Sequence, residues 1–293
     1  MTYEHCSLCP RKCGVNRLQG QTGYCGMTAE LRCARAGLHL WEEPVLTGGA
    51  GSGAVFFSSC TLGCVFCQNG QISREGFGKE LTAKDLRRSM ERLIEQGAAN
   101  INLVTATQFL PHVLEALTPK LPVPVVWNSG GYERVETLKR MEGLVDIYLP
   151  DMKYSDPALA ARLSHAPDYV ETARAAIREM VRQTGPAQVR DGQMTRGVII
   201  RHLLLPGYLD NTLGVLDWVA ETFPPGQVLL SLMSQYTPFG KAKTMPPLDR
   251  KVTEEEAAAA LSYLQLLGIR DGFCQELAAA EEEYVPRWDL SGL

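Results

Sequence analysis

No apolar stretch in this chain reaches bilayer length, because Arg, His or Pro interrupts each one, and the N-terminus carries no signal-type apolar segment. An excess of basic charge is also missing. The 293 residues hold 29 Lys and Arg against 33 Asp and Glu, a formal charge of −4, which gives no electrostatic footprint for nucleic acid. The low hydrophobicity of disordered chains is absent, as are internal repeats and low-complexity blocks. These absences leave a globular protein, expected in the cytoplasm, with no membrane or nucleic-acid partner. Its length suits one large domain with a small appendage. Nine cysteines stand in it, grouped at metal-ligand spacings, which argues for a reducing compartment and against a disulfide scaffold.

The densest group is Cys60, Cys64 and Cys67, spaced C-x3-C-x2-C directly after the apolar run 54–59. A Val- and Phe-rich run ending in small polar residues reads as a buried strand that opens into a loop. Three thiolates on one loop can face a common point and bind a metal cluster. A structural zinc site would normally require a fourth ligand, and no Cys or His follows nearby. Three protein ligands on a four-iron cluster leave one iron open to a small molecule.

A second group opens the chain: Cys6, Cys9, Cys13 and then Cys25, with glycines 14, 20, 23 and 26 for the tight turns between them. Two knuckle-like pairs can wrap one centre, either zinc or iron–sulfur, and Cys33 or His5 could substitute as a ligand. The glycine-rich stretch 47–53 precedes a strand instead of joining a strand to a helix, so it reads as a linker. The boundary is drawn there: a Cys-rich metal-binding module over 1–47, a barrel over 48–270 and a tail over 271–293 packing on the barrel.

Strand-like runs then recur at 54–59, 100–105, 123–128, 145–150, 197–204 and 228–233, with amphipathic helices between them. Leu86, Met90, Leu93 and Ile94 form one helical face, stopped by Gly97. Asp156-Pro157 reads as N-cap and first helical residue, and Thr253 to Glu256 as a capping box. The stretch 187–196 reads as a surface loop. Six strand–helix repeats imply an α/β fold with a parallel sheet. In such a sheet the reactive face lies at the C-terminal strand ends. Those ends carry Thr105 and Thr107, Asn128 and Ser129, Asp151 and Lys153, and Arg201. His202 alternates to the opposite face as a packing residue, and the lone Cys274 reads as a small buried hydrophobe.

The C-x3-C-x2-C loop, with Phe66 before its last cysteine and Gln68-Asn69 after it, resembles the signature of the radical S-adenosylmethionine (SAM) superfamily. The segments 9–17, 149–154, 232–238 and 284–289 are similar to its pyruvate formate-lyase activating enzyme-related group. The resemblance implies a partial (β/α)6 TIM-like barrel and an oxidoreductase that cleaves SAM reductively to a 5′-deoxyadenosyl radical. It implies a [4Fe–4S] cluster on Cys60, Cys64 and Cys67, and a SAM pocket formed by Phe66, Asn69, Thr105, Thr107, Asn128, Ser129, Asp151, Lys153 and Arg201. Arg201 resembles the residue that faces the SAM carboxylate. The implied partners are a reductant such as flavodoxin or ferredoxin and a glycyl-radical enzyme awaiting activation. Another peptide or a small molecule is the alternative substrate, and an iron–sulfur sensor or electron carrier the alternative role. Many relatives carry Gly-Gly-Glu where this chain has Thr105-Ala106-Thr107, and their additional clusters follow the SAM motif instead of preceding it.

Overall fold

The computed structural model describes residues 2–275 and 288–293. The strands are β1 (Leu31–His39), β2 (Ser52–Phe57), β3 (Lys79–Leu81), β4 (Ile101–Val104), β5 (Val125–Ser129), β6 (Ile147–Pro150), β7 (Gln188–Arg190), β8 (Gln193–Leu203), β9 (Leu229–Met233) and β10 (Gly272–Gln275). The helices are α1 (Pro44–Thr47), α2 (Gly70–Arg74), α3 (Ala83–Glu95), α4 (Leu110–Ala116), α5 (Val135–Lys139), α6 (Pro157–Ser164), α7 (Tyr169–Thr184), α8 (Leu209–Thr222) and α9 (Glu254–Leu266). Among the described residues the sheet runs β10-β9-β8-β6-β5-β4-β2-β1-β3 and does not close, so the architecture is an α/β partial barrel. From β2 to β10 along this order every neighbour is parallel, which points all these C-terminal ends at one mouth.

The six expected strands are present, and β10 adds a seventh parallel strand beyond them. At the other edge β1 pairs antiparallel with β2 and with β3. The boundary drawn at 47/48 therefore falls between two paired strands of one sheet. Tyr3, Cys6 and Leu8 also join the main apolar core of the barrel. The stretch 187–196 is a hairpin, with Asp191 (φ 49°) and Gly192 (φ 76°) forming the two-residue turn between β7 and β8. Asp-Gly with both φ positive suits the right-handed strand twist, a signal that was legible in the sequence. Cys274 is exposed, contrary to expectation, because it lies on the edge strand β10. Residues 276–287 lie outside the described residues, so most of the 284–289 segment does too. Beyond them Trp288 packs edge-on against Phe56 (5.2 Å between ring centres) and Asp289 pairs with Arg35 at 3.2 Å.

Both faces of the parallel strands are buried, which is why they read as continuous apolar runs. Val55, Phe57, Leu103, Val125, Trp127, Val198 and Ile200 face the helices, where Leu86, Met90 and Leu93 of α3 meet them. The alternate residues Val126, Ile147, Leu149 and Ile199 face inward and pack on Leu46 of α1, which plugs the barrel interior. Helix starts follow the sequence signals. Asp156 caps α6 (2.8 Å to the Ala158 N–H), and Thr253 and Glu256 form the box that opens α9.

Thr107 turns away from the barrel mouth. Its hydroxyl donates to Glu133 at 2.5 Å behind the sheet, where Trp127 Nε1 also points at that carboxyl (3.4 Å). Glu133 is only 2% exposed, and burial lifts its carboxyl to about 7 against the bonds from Thr107 and Trp127. A carboxyl raised in the native state stabilises the fold fully below its unfolded value near 4.5 and progressively less as pH rises through about 7. Wild-type stability should therefore fall between pH 5 and 8. Glu133→Gln, which retains the acceptor oxygen, should remove about 2–3 kcal/mol of that fall. Urea unfolding at the two pH values measures it; an identical fall in both proteins contradicts the assignment.

Candidate active site

The cysteine loop leaves β2 through Ser58 and Ser59, the latter held at φ 71°. Strain at a non-glycine residue persists where the surroundings over-determine it. Here the Ser59 N–H donates to Ile72 O (2.7 Å), and its hydroxyl donates to the carbonyl of Cys25. Gln108 braces the same bend from the end of β4, its Nε2 lying 2.8 Å from Ser58 O, 3.1 Å from Ser59 O and 2.8 Å from Thr105 O. Farther along, the Val65 N–H donates to Leu163 O at 2.9 Å and docks the loop on α6.

Cys60, Cys64 and Cys67 line one cavity of about 250 Å³ at the strand ends. Each sulfur has a hydrogen-bond partner in place. The Leu62 N–H reaches Cys60 Sγ (3.4 Å), the Ser164 hydroxyl reaches Cys64 Sγ (2.9 Å), and the Ser73 hydroxyl lies 3.3 Å from Cys67 Sγ. Burial, with Cys64 and Cys67 adding, pushes the Cys60 thiol up to about 12, and burial raises Cys64 as well. Such thiols ionise at neutral pH only when a cation binds them, which is what iron would do. The donor set therefore fits a cluster held by three cysteines, with no His and no fourth Cys among the described residues of this cavity.

The same cavity gathers Phe66, Asn69, Thr105, Asn128, Ser129, Asp151, Lys153 and Arg201. Of the residues read from the strand ends, Thr107 alone stands elsewhere, for the reason given above. Asp151 is the centre of the charged set. It takes Lys153 Nζ at 2.5 Å and Arg201 Nε at 3.0 Å, and an isolated bridge ties Asp151 to Arg201 along the backbone. Burial pushes the Asp151 carboxyl up, but the two cations more than reverse this and hold it below the usual range. Lys153 and Arg201 are correspondingly held charged.

Arg201 is turned into the protein more than the sequence suggests. Its other two nitrogens reach Glu42 Oε1 (3.3 Å) and Asn128 Oδ1 (2.7 Å). Glu42 also accepts from Asn102 (2.7 Å) and Asn128 (3.2 Å). Sequence reasoning missed Glu42; the only signal was a pair of carboxylates, Glu42-Glu43, just before the α1 proline. The adjacent Glu43 is 1% exposed and raised by burial to about 7. Arg201 spends three of its five N–H donors on Asp151, Glu42 and Asn128, whereas Lys153 spends one of its three. Asp151 is the only hydrogen-bond acceptor of Lys153 among the described residues, and Lys153 lines the same cavity as Cys64.

Backbone geometry holds this arrangement together. The Tyr169 hydroxyl lies 2.7 Å from Asp151 O and 2.9 Å from Gly130 O, and it accepts from the Lys153 N–H at 2.9 Å. Gly131, at φ 75°, admits this approach because a Cβ there would sit 2.1 Å from Asp151 O. His202, on the other face, is buried between Met152 O (2.6 Å) and the Thr212 hydroxyl (2.9 Å) and is held neutral, its value lowered to about 4 by burial.

The N-terminal cysteines form a second neighbourhood. Cys9 is pushed up to about 12 by burial, with Cys25, Cys13 and Cys6 adding, and Cys25 in turn is raised by burial with contributions from Cys6 and Cys13. Cys33 does not belong to it. That thiol is fully buried in β1 and raised by desolvation alone. His5 lies against Gly14. Among the described residues no three Cys, His, Asp or Glu side chains converge closely enough to hold a single metal ion.

Comparison with known proteins gives one curated relative, an uncharacterized protein of Methanocaldococcus jannaschii. It is 32% identical over 274 residues, which cover 90% of this chain and 75% of the relative. Among solved structures, Streptococcus suis SuiB bound to S-adenosylmethionine aligns with a TM-score of 0.49 at 12% identity, over 77% of this chain and 50% of SuiB. A domain of pyruvate-formate lyase-activating enzyme from Bacteroides vulgatus aligns at 0.39 and 14% identity, over 66% of this chain and 91% of that domain. This chain thus spans about half the length of SuiB. The family model for the Radical SAM superfamily matches residues 54–219, the barrel from β2 through most of α8, and the chain belongs to that superfamily.

Proposed function

We propose that Cys60, Cys64 and Cys67 hold a [4Fe–4S] cluster at which the protein cleaves SAM reductively, in order to place a radical on a glycine of a partner enzyme. The observation that carries this reading is the shared cavity, in which three hydrogen-bonded thiols and the Asp151–Lys153 pair face one space. When bound, cluster and SAM together supply the one-electron chemistry that yields a 5′-deoxyadenosyl radical.

The protein's own groups divide the remaining work. Lys153, with donors to spare, suits a carboxylate such as that of the methionyl group, and Asp151 keeps it charged and aimed. Arg201 acts through Asp151 and Asn128 and keeps the strand ends in register. Asn69, Thr105, Asn128 and Ser129 offer donors and acceptors suited to an amino group and ribose hydroxyls. Phe66, packed edge-on against Tyr236 (6.3 Å between ring centres), gives the cavity an apolar wall. Leu203, Leu205, Met233 and Phe239 line it further, and an apolar lining helps to exclude water from a reactive site. The resemblance to activating enzymes supports a polypeptide substrate and a flavodoxin- or ferredoxin-class reductant. Cys6, Cys9, Cys13 and Cys25 are proposed as ligands of a second centre, zinc or iron–sulfur.

Anaerobically reconstituted protein with SAM and dithionite should release 5′-deoxyadenosine and methionine, and Cys64→Ala should not. Equal rates for both proteins would remove the loop from the chemistry. Lys153→Met should weaken SAM binding by on the order of 1.5–3 kcal/mol, the range for hydrogen bonds to charged groups, with iron content unchanged. Arg201→Leu should instead destabilise the fold by about 3–5 kcal/mol, since it takes from Glu42 its salt-bridge cation and from Asp151 one of its two. SAM titration and chemical denaturation separate the two roles; the opposite pattern would exchange them. Metal analysis of the Cys60/Cys64/Cys67→Ala triple variant tests the second centre, for which folded protein without zinc or iron is the contrary result.

A further inference from the structure

The two cysteine segments interlock, and the residue that joins them is Arg11, between Cys9 and Cys13. Its Nε donates to Thr61 O at 3.0 Å, inside the C-x3-C interval of the cluster loop. Its terminal nitrogens donate to His165 O (2.5 Å) and Ser164 O (3.3 Å), where α6 ends and its last carbonyls lack helical partners. The guanidinium lies 3.8 Å from the ring centre of Tyr24, next to Cys25, and 5.1 Å from that of Tyr132. Three carbonyl acceptors and two aromatic faces leave this side chain little freedom. Ser164, whose carbonyl Arg11 grips, is the residue whose hydroxyl donates to Cys64 Sγ at 2.9 Å, and the Tyr154 hydroxyl lies 2.5 Å from the same oxygen. A second tie joins Cys25 O to the hydroxyl of Ser59, the residue before Cys60.

We propose that the N-terminal cysteine segment sets the reduction potential of the SAM-cleaving cluster, with Arg11 as the positioning residue that holds the Ser164 hydroxyl on Cys64. The inference rests on the proposed cluster at Cys60, Cys64 and Cys67. A hydrogen bond to a ligand sulfur withdraws negative charge and favours the reduced state, so its strength tunes the potential. Arg11 adds a fixed positive charge on the same side. The order Cys9-Pro10-Arg11-Lys12-Cys13 gives the device its logic. Whatever fixes the two cysteines also fixes the arginine between them, so the state of the first cysteine group is transmitted to the second.

The test is a redox titration of the reconstituted full-length protein, followed by the electron paramagnetic resonance signal of the reduced cluster, with iron content measured alongside. Arg11→Ala should shift the midpoint to more negative potential with iron content retained, and Ser164→Ala should shift it the same way. In the double variant Arg11→Ala should add less to Ser164→Ala than it shifts alone, because only the loss of its charge, and not of the Ser164 bond, is left to act. Arg11→Lys retains the charge but cannot span three carbonyls, so it should recover only part of the shift. This variant carries the decision if Arg11→Ala does not load iron. A wild-type midpoint in Arg11→Ala, or in a loaded Arg11→Lys, would overturn the proposal, as would full additivity in the double variant. Wild-type protein that binds no iron would instead refute the cluster reading beneath it.

Discussion

A carboxylate stays ionised inside an apolar barrel only if cations lie within hydrogen-bond distance, and Asp151 has two of them. Much of the mouth is arranged around that requirement. Arg201 arrives from β8 and carries Glu42 and Asn128 with it, which fixes the ends of β5, β6 and β8 relative to one another. Lys153 arrives from the turn after β6 and is left facing the cysteine loop. Neither cation would be tolerated there without the carboxylates, and neither carboxylate without the cations. The network thus contributes less to net stability than to a single fixed geometry at the cavity floor.

The cysteine loop meets a second constraint from outside the barrel. A loop that presents three sulfurs to one space must hold its backbone in conformations that other residues avoid, such as the φ of 71° at Ser59. Gln108, Cys25 and Arg11 provide the bonds that keep it so. Two of these three come from the N-terminal segment. That segment therefore helps to build the site, in addition to whatever its own cysteines bind. Arg17 reinforces the same joint. It is buried, donates to Gln108 O at 2.6 Å and lies 4.6 Å from the Tyr3 ring centre.

What the sequence disclosed and what it withheld follow from distance along the chain. The C-x3-C-x2-C loop, the capped helices and the two-sided apolar strands are local patterns, and each lies where its residues place it. The cavity residues were legible because a parallel sheet gathers its C-terminal ends without needing any detail of packing. Thr107 fails this rule, since the turn at Thr105 (φ 60°) and the short helix after it carry the side chain behind the sheet to Glu133. Glu42 and Arg11 were unreadable for the opposite reason. Their partners lie 159 residues away at Arg201 and 154 residues away at His165, and no local pattern marks a side chain that acts across the fold. The β1 strand escaped notice because Arg32, Arg35 and Gly37 break its apolar pattern, while β10 is a short edge strand with half its residues exposed.

The central claim is that three cysteines bind a four-iron cluster and leave one iron for SAM. Mössbauer spectroscopy of protein reconstituted with 57Fe tests it most directly, because it resolves iron sites by their ligands. The account predicts a [4Fe–4S] spectrum in which one site of the four changes on addition of SAM while the other three do not. A spectrum with four equivalent sites that ignores SAM, or one from isolated iron ions, would contradict it.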